Sequence, residues 1–354
     1  MAVDSATAQT TLLGPAPRVS VESLGFEVSV LDLGFNSVKL ATYHVDDRLR
    51  FVVASQEDAK VRLGEELDAT GFLGEAPMER TMKVLKLYRR VLDFESPRYV
   101  IPIATSAVRE AGNRAEFLRR AEETLGFKFR VVSEEEEALL SYLGAASSLG
   151  YPNGIYFDLG GGTLAMVHAE DFRVKQVQCL PLGARRLTYL YANESRGWLF
   201  DQRGYGRMRD HVLSLVSRVR LPPRRNAKLV GIGGTVRALA RYHRWKLRFK
   251  KSGADEDVMT ANEVARAASQ FSKMRRRELL SLPSVGRGRA ETMQAGSYVI
   301  NVLMKTVGAR VLTASADGLR EGALTIFLHD RRWFRSKKLE TSTVERLLGA
   351  KEGE

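Results

Sequence analysis

Cysteine is all but missing from this chain: Cys179 is the one thiol in 354 residues. It cannot form an internal disulfide or a thiolate metal cage, and a reducing, cytoplasmic setting is the expectation. Histidine is scarce as well, five residues with no pair at i, i+4. Any metal is therefore expected on carboxylates and phosphate oxygens, which suits magnesium better than zinc. No apolar run reaches 18 residues, which argues against a membrane-spanning helix. Neither GxxxxGK(S/T) nor GxGxxG occurs, so neither a P-loop nor a dinucleotide fingerprint is indicated. Met1–Gly25 lacks both the basic start and the apolar centre of a secretory leader and reads as a flexible tail.

What is abundant is positive charge, +13 net with a pI near 9.9. It gathers in Arg241–Lys251, Lys273–Arg277, Arg287–Arg289 and Arg331–Lys338. Such a surplus attracts polyanions, although solvated helix faces account for it equally well. The length fits two domains plus tails, and the 44% hydrophobic fraction is that of a folded protein.

Three glycine turns organise the chain. Phe26–Leu33 reads as a β-strand ending in Asp32, followed by Gly34-Phe35-Asn36-Ser37 and a second strand. Gly154–Leu159 repeats the device: Asp158, then Gly160-Gly161-Gly162-Thr163, then a further strand, about 126 residues on. A third turn, Gly231-Ile232-Gly233-Gly234-Thr235, precedes a helix. Glycines let the backbone approach closely, and successive N–H groups then form a concave nest for phosphate. An aspartate at the strand end can hold hydrated magnesium. One such turn is commonly a plain hairpin; three together point to a cleft gripping a phosphorylated ligand.

Between the repeats, Ser133 is the expected N-cap of a helix Glu134–Leu149 that opens with four glutamates. Acids there complement the helix dipole without further purpose. Glu137, next to apolar Leu139, Leu140 and Leu143, is also a candidate general base if partly buried. Ala104–Ala111 places Thr105, Ser106 and Arg109 after the strand Tyr99–Ile103, where they suit phosphate contact or a simple cap.

In order, Asp32–Ser37, Val61–Gly64, Ala104–Ala111, Ser133–Ala138, Asp158–Thr163, Leu180–Ala184, Gly233–Arg237 and Gly318–Gly322 resemble the exopolyphosphatase/guanosine-pentaphosphate phosphatase (Ppx/GppA) family over Phe26 to Leu328. The resemblance implies an α/β fold of two ribonuclease-H-like domains of the actin/sugar-kinase type, with an interdomain cleft. It implies domains over 26–145 and 146–335 and the short form without a C-terminal helical domain, while the polar tail 336–354 itself reads as frayed or as one loosely docked helix. It makes Glu137 the catalytic base, Arg109 a phosphate contact, and Asp32 and Asp158 the metal aspartates. Gly34, Asn36, Ser37, Gly160, Gly161, Gly162, Thr163, Gly233, Gly234 and Thr235 become the phosphate loops. The implied reaction is magnesium- (or manganese-) dependent removal of the terminal phosphate of polyphosphate, or of the 5′ phosphate of guanosine pentaphosphate, by a homodimer. No membrane contact is expected, and nucleic acid only through nonspecific charge. An actin-like sugar kinase is disfavoured, because no aspartate motif for activating a sugar hydroxyl is evident.

Three departures stand out. Phe35 replaces a serine of the first loop, Glu134 replaces a glycine, and Ala165 stands where the family carries a glutamate that assists metal and water. The last opens a rival reading, a weakened member that senses polyphosphate or an alarmone, with Glu135 or Glu136 as conceivable substitutes for the lost carboxylate.

Overall fold

The computed structural model describes residues 25–221, 228–247, 257–283, 285–286, 289–336 and 338–350. Of the expected N-terminal tail only Gly25 is included, and parts of the basic stretches 241–251, 287–289 and 331–338 also lie outside the described residues.

The first sheet comprises β1 (Phe26–Leu33), β2 (Ser37–Val45), β3 (Phe51–Lys60), β4 (Tyr99–Ala104) and β5 (Arg130–Val131), in the order β3-β2-β1-β4-β5. β1 to β3 form an antiparallel meander, and β4 and β5 continue parallel to β1. The second sheet comprises β6 (Gly154–Leu159), β7 (Leu164–Glu170), β8 (Arg173–Leu180), β9 (Leu229–Ile232), β10 (Val258–Thr260) and β11 (Val311–Ala314), in the order β10-β11-β9-β6-β7-β8. Again three antiparallel strands lead into two parallel ones, with β10 added antiparallel at the edge. The duplication hinted at by two Asp-Gly turns is thus a duplication of topology. Two ribonuclease-H-like units of actin type are the result.

β1 is apolar on both faces because both are covered, and its last six residues are buried. One face of the first sheet packs beneath the helices Glu75–Glu95 and Arg114–Leu125, with Leu85, Phe117 and Leu125 in that core. The outer core of the second sheet is built with helices including Gly234–Leu247, Ala261–Lys273 and Ala290–Thr306. Between the sheets lies a shared core holding Val28 and Val30 of one and Tyr156 and Val167 of the other.

Two helices fill that central layer. Glu134–Leu149 lies on β6, β7 and β8, whereas Leu319–His329 lies on β1, so each sheet carries a helix from the other half of the chain. The expected boundary at 145/146 falls within the first of them. They touch backbone to backbone: a Cβ on Gly322 would sit 1.9 Å from the Leu140 carbonyl oxygen. Only glycine permits this approach. Ser133 caps the first helix as expected, its Oγ accepting from the Glu136 amide at 3.1 Å. The C-terminal segment, expected to fray or dock loosely, forms a helix over Thr341–Leu347 whose Val344 is fully buried in the central core.

Candidate active site

The carboxyl ends of β1 and β6 face each other across one cleft of about 920 Å³, open solvent included. Asp32 and Asp158 line it, with Gly34, Asn36, Ser37, Gly160, Gly161, Gly233, Gly234, Thr235 and Glu137. Gly162, Thr163 and Arg109 do not belong to the lining.

The two aspartate loops are built alike. Gly34 N donates to Ser37 O at 3.0 Å, and Gly160 N to Thr163 O at the same distance. Each loop is then pinned by its carbonyls. Asn36 O accepts from Val61 N (3.0 Å) and Arg62 N (2.9 Å), and Phe35 O from Gly64 N (2.9 Å). In the second loop, Gly160 O accepts from Ala184 N (3.0 Å), and Gly161 O from Arg185 N (3.0 Å) and Arg186 N (2.9 Å). A planar trans peptide with its carbonyl held outward turns the next N–H toward the cleft. This is the structural reason for the Val61–Gly64 and Leu180–Ala184 motifs, which the sequence showed without a role. The third loop bends at Gly233, φ +100°, where a Cβ would lie 2.8 Å from Asp158 Oδ1. It starts the helix Gly234–Leu247, whose first turn faces the cleft and suits an anion.

Hairpin register sets what stands beside each aspartate. Asp32 lies opposite Lys39, and their side chains pair at 3.2 Å. Asp158 lies opposite Ala165, which is 4% exposed and offers no charge. Asp158 instead accepts from Ser141 Oγ at 2.7 Å, and burial raises its pKa. Neither proposed substitute carboxylate reaches the gap. Glu136 is buried against Arg130 and accepts from Trp333 Nε1 at 3.0 Å, while Glu135 pairs with Lys338 at 3.3 Å. Glu135 and Glu136 are therefore not replacements for the absent glutamate.

Glu137 projects from the first turn of its helix onto the cleft wall, with its side chain 15% exposed. Burial lifts its pKa to about 7, against the lowering pull of Arg109 and with a further push from Asp158 and Asp32. Arg109 Nη1 donates to Glu137 Oε2 at 2.9 Å and to Val132 O at 3.0 Å. In this conformation the arginine holds the glutamate in place.

Among the described residues no group of three or more His, Cys, Asp or Glu forms a metal cage. The available oxygens are those of Asp32, Asp158 and Asn36, whose buried Oδ1 has no hydrogen-bond partner. Acceptors of this kind fit a hydrated hard cation that completes its shell with ligand oxygens.

Several cleft residues carried no assignment in the sequence reading. Lys39, Arg185, Arg237, Arg289 and Arg320 put five positive side chains on the lining, and four of them continue with Arg241 into an adjoining cavity. Only Arg289 and Arg241 belonged to noticed basic runs. Lys39 was findable from β2, where it stands opposite Asp32 in the hairpin.

Fold and cleft together define an actin-like protein with paired glycine loops and a glutamate base candidate between them. A model of the Ppx/GppA phosphatase family matches residues 42–330. The chain belongs to that family, a family of phosphohydrolases. It is 26% identical over 306 residues to exopolyphosphatase 1 of Mycobacterium leprae, covering 84% of this chain and 88% of that protein. It is 23% identical over 304 residues to a bifunctional 3-dehydroquinate synthase/phosphatase of Fusobacterium nucleatum, covering 83% of this chain but only 45% of the relative's length. The crystal structure of the Aquifex aeolicus Ppx/GppA family member superposes with a TM-score of 0.68 at 26% identity, covering 86% of this chain and 98% of that one. Among the described residues no helix is long and apolar enough to cross a membrane.

Proposed function

We propose that the protein is an exopolyphosphatase, removing the terminal phosphate of inorganic polyphosphate. The observation that carries this reading is Glu137, a cleft carboxylate with a pKa near 7 beside two amide-lined loops. A base poised near the working pH combines availability with proton affinity. Water oxygen attacks the terminal phosphorus, its proton passes to Glu137, and the bond to the bridging oxygen breaks. Orthophosphate leaves, with a chain one unit shorter. Arg109 keeps the accepting oxygen aligned, and the loop amides stabilise the equatorial oxygens, positioning and electrostatics being the main source of rate in phosphoryl transfer. Asp32, Asp158 and Asn36 would hold magnesium, or manganese, through water; when bound, the ion neutralises phosphoryl charge.

Polyphosphate is favoured over guanosine pentaphosphate because Lys39, Arg237, Arg241, Arg289 and Arg320 outnumber Glu57 and Asp58 in the cavity that extends beyond the loops, a net positive path that suits a repeating anion. A substrate panel of long and short polyphosphate, guanosine pentaphosphate and ATP, assayed for released phosphate, tests the choice. Glu137→Gln should lower release from long chains by about 10²–10⁴-fold; full activity in that variant sinks the assignment. The buried Ala165 opposite Asp158 favours a second reading, a sensor that binds without turnover. Tight binding with no phosphate release, and release restored by Ala165→Glu, would select it. A homodimer belongs to the proposal as well, tested by light scattering. Contact with nucleic acid is proposed only through charge, and such binding should fade steeply with salt.

A further inference from the structure

Arg185 stands in the first turn of the helix Ala184–Tyr191 and is the largest fully buried side chain among the described residues, 1% exposed, yet it lines the cleft. Its Nη1 donates to Glu291 Oε2 at 2.7 Å. Its Nε and Nη2 are buried with no hydrogen-bond partner. A guanidinium presents two parallel N–H bonds along the edge shared by those two nitrogens, the fork that matches two oxygens of a phosphoryl group. Glu291 thus occupies one end of the guanidinium and leaves this edge open. Buried polar atoms are nearly always bonded, and an orphaned edge calls for a partner.

The surroundings favour an anion. Glu291 also accepts from Arg62 at 3.4 Å, so one carboxylate serves two arginines. Burial and the charges of Arg185, Arg289 and Arg62 bring the pKa of Lys60 down to about 8, against the opposing pull of Glu291. Tyr189, one turn on, places its ring 5.5 Å from the Arg185 guanidinium and limits its rotation. The groups around Glu137, namely Arg109, Asp32 and Asp158, form a different set, which separates the two places within the cleft.

We propose that Arg185 forms a second phosphoryl subsite, its Nε and Nη2 gripping two oxygens of a phosphoryl group other than the one Glu137 serves. This rests on the reading of the cleft as a phosphate-chain site and deepens it: a ligand reaching both places carries more than one phosphoryl group. Arg185→Lys keeps charge for Glu291 but removes the edge.

The experiment is calorimetric titration with pyrophosphate and with orthophosphate in magnesium buffer, alongside phosphate release from long-chain polyphosphate. Losing a charge-assisted pair should weaken pyrophosphate binding about tenfold or more in Arg185→Lys, with orthophosphate changed by less than about twofold. In turnover, KM should rise while kcat holds. Arg62→Lys, which keeps the charge and the backbone amide on Asn36 but loosens the same Glu291 and spares the edge, should leave pyrophosphate affinity within about twofold. Unchanged pyrophosphate binding in Arg185→Lys, or an equal loss in Arg62→Lys, would overturn the subsite and leave the guanidinium a structural ion pair. If Arg185→Lys fails to fold, the Nε–H resonance of Arg185 in the unaltered protein decides: a shift on adding pyrophosphate supports the subsite, and none overturns it. Absence of polyphosphate hydrolysis in the parent, with Arg185-dependent pyrophosphate binding intact, would sink the exopolyphosphatase reading while the subsite stands.

Discussion

The two aspartate loops share a fold, a closing hydrogen bond and a way of turning amides inward, yet they differ at one register position. Opposite Asp32 stands Lys39, a cation at 3.2 Å; opposite Asp158 stands Ala165, buried and neutral. Loop geometry therefore does not dictate the local charge. One half of the cleft is electrostatically closed on itself, while the other holds a carboxylate whose ionisation burial opposes. The second half has more to gain from a cation supplied with the ligand.

Neutralising each aspartate breaks the comparison most directly. Asp32→Asn and Asp158→Asn should each reduce magnesium-dependent phosphate release by about 10–100-fold. Their stabilities should move in opposite directions. Asp158→Asn removes a buried carboxylate that resists ionisation and should raise the melting temperature at neutral pH, whereas Asp32→Asn strands Lys39 and should lower it. Equal shifts in a thermal melt would erase the distinction.

The pH response of Glu137 comes next. Its folded pKa of about 7 lies above the ordinary 4.5, so the folded state holds the proton more tightly than the unfolded chain. Its contribution to stability is full below pH 4.5 and declines as pH rises to about 7, a loss of at most about 3 kcal/mol. Denaturant titrations from pH 4.5 to 7 should show this slope, and Glu137→Gln should flatten it. The acidic limb of kcat/KM should fall near the same pH and move lower in Asp158→Asn.

Ala165→Glu would make the second hairpin as charged as the first. Without a divalent cation it should cost about 1–3 kcal/mol for a buried, unpaired carboxylate, and magnesium should restore part of that loss in a melt. The smallest effect belongs to Lys39→Met, which removes a partly exposed pair worth about 1 kcal/mol or less.

Much of this site was legible in the sequence because its signals are local. Asp32 and Asp158 end apolar runs, glycines follow at short range, and Ser133 with its acids announces a helix start. Contacts between distant residues were not legible. Glu291 meets Arg185 from 106 positions away, and Tyr43 donates to Glu321 across 278 at 2.5 Å. The exchange of central helices between the two halves was hidden for the same reason: periodicity shows that a helix has an apolar face, not which sheet it will cover. Arg109 was expected on the phosphate, and its strand-end position gave no hint that its Nη1 would be committed to Glu137 and a carbonyl.

Phe35, the residue that displaced a loop serine, is 2% exposed and contacts Gly64 and Gly162 from opposite halves of the chain. The guanidinium carbon of Arg186 lies 5.0 Å from its ring centre, and that arginine also grips Asp68, at 2.9 Å, and Glu110. What the chain gave up in hydroxyl chemistry it gained as an oily bolt through its own jaws. Swinging the halves wide apart would wet a phenyl ring and unseat two ion pairs together, a cost that smaller displacements at the mouth avoid.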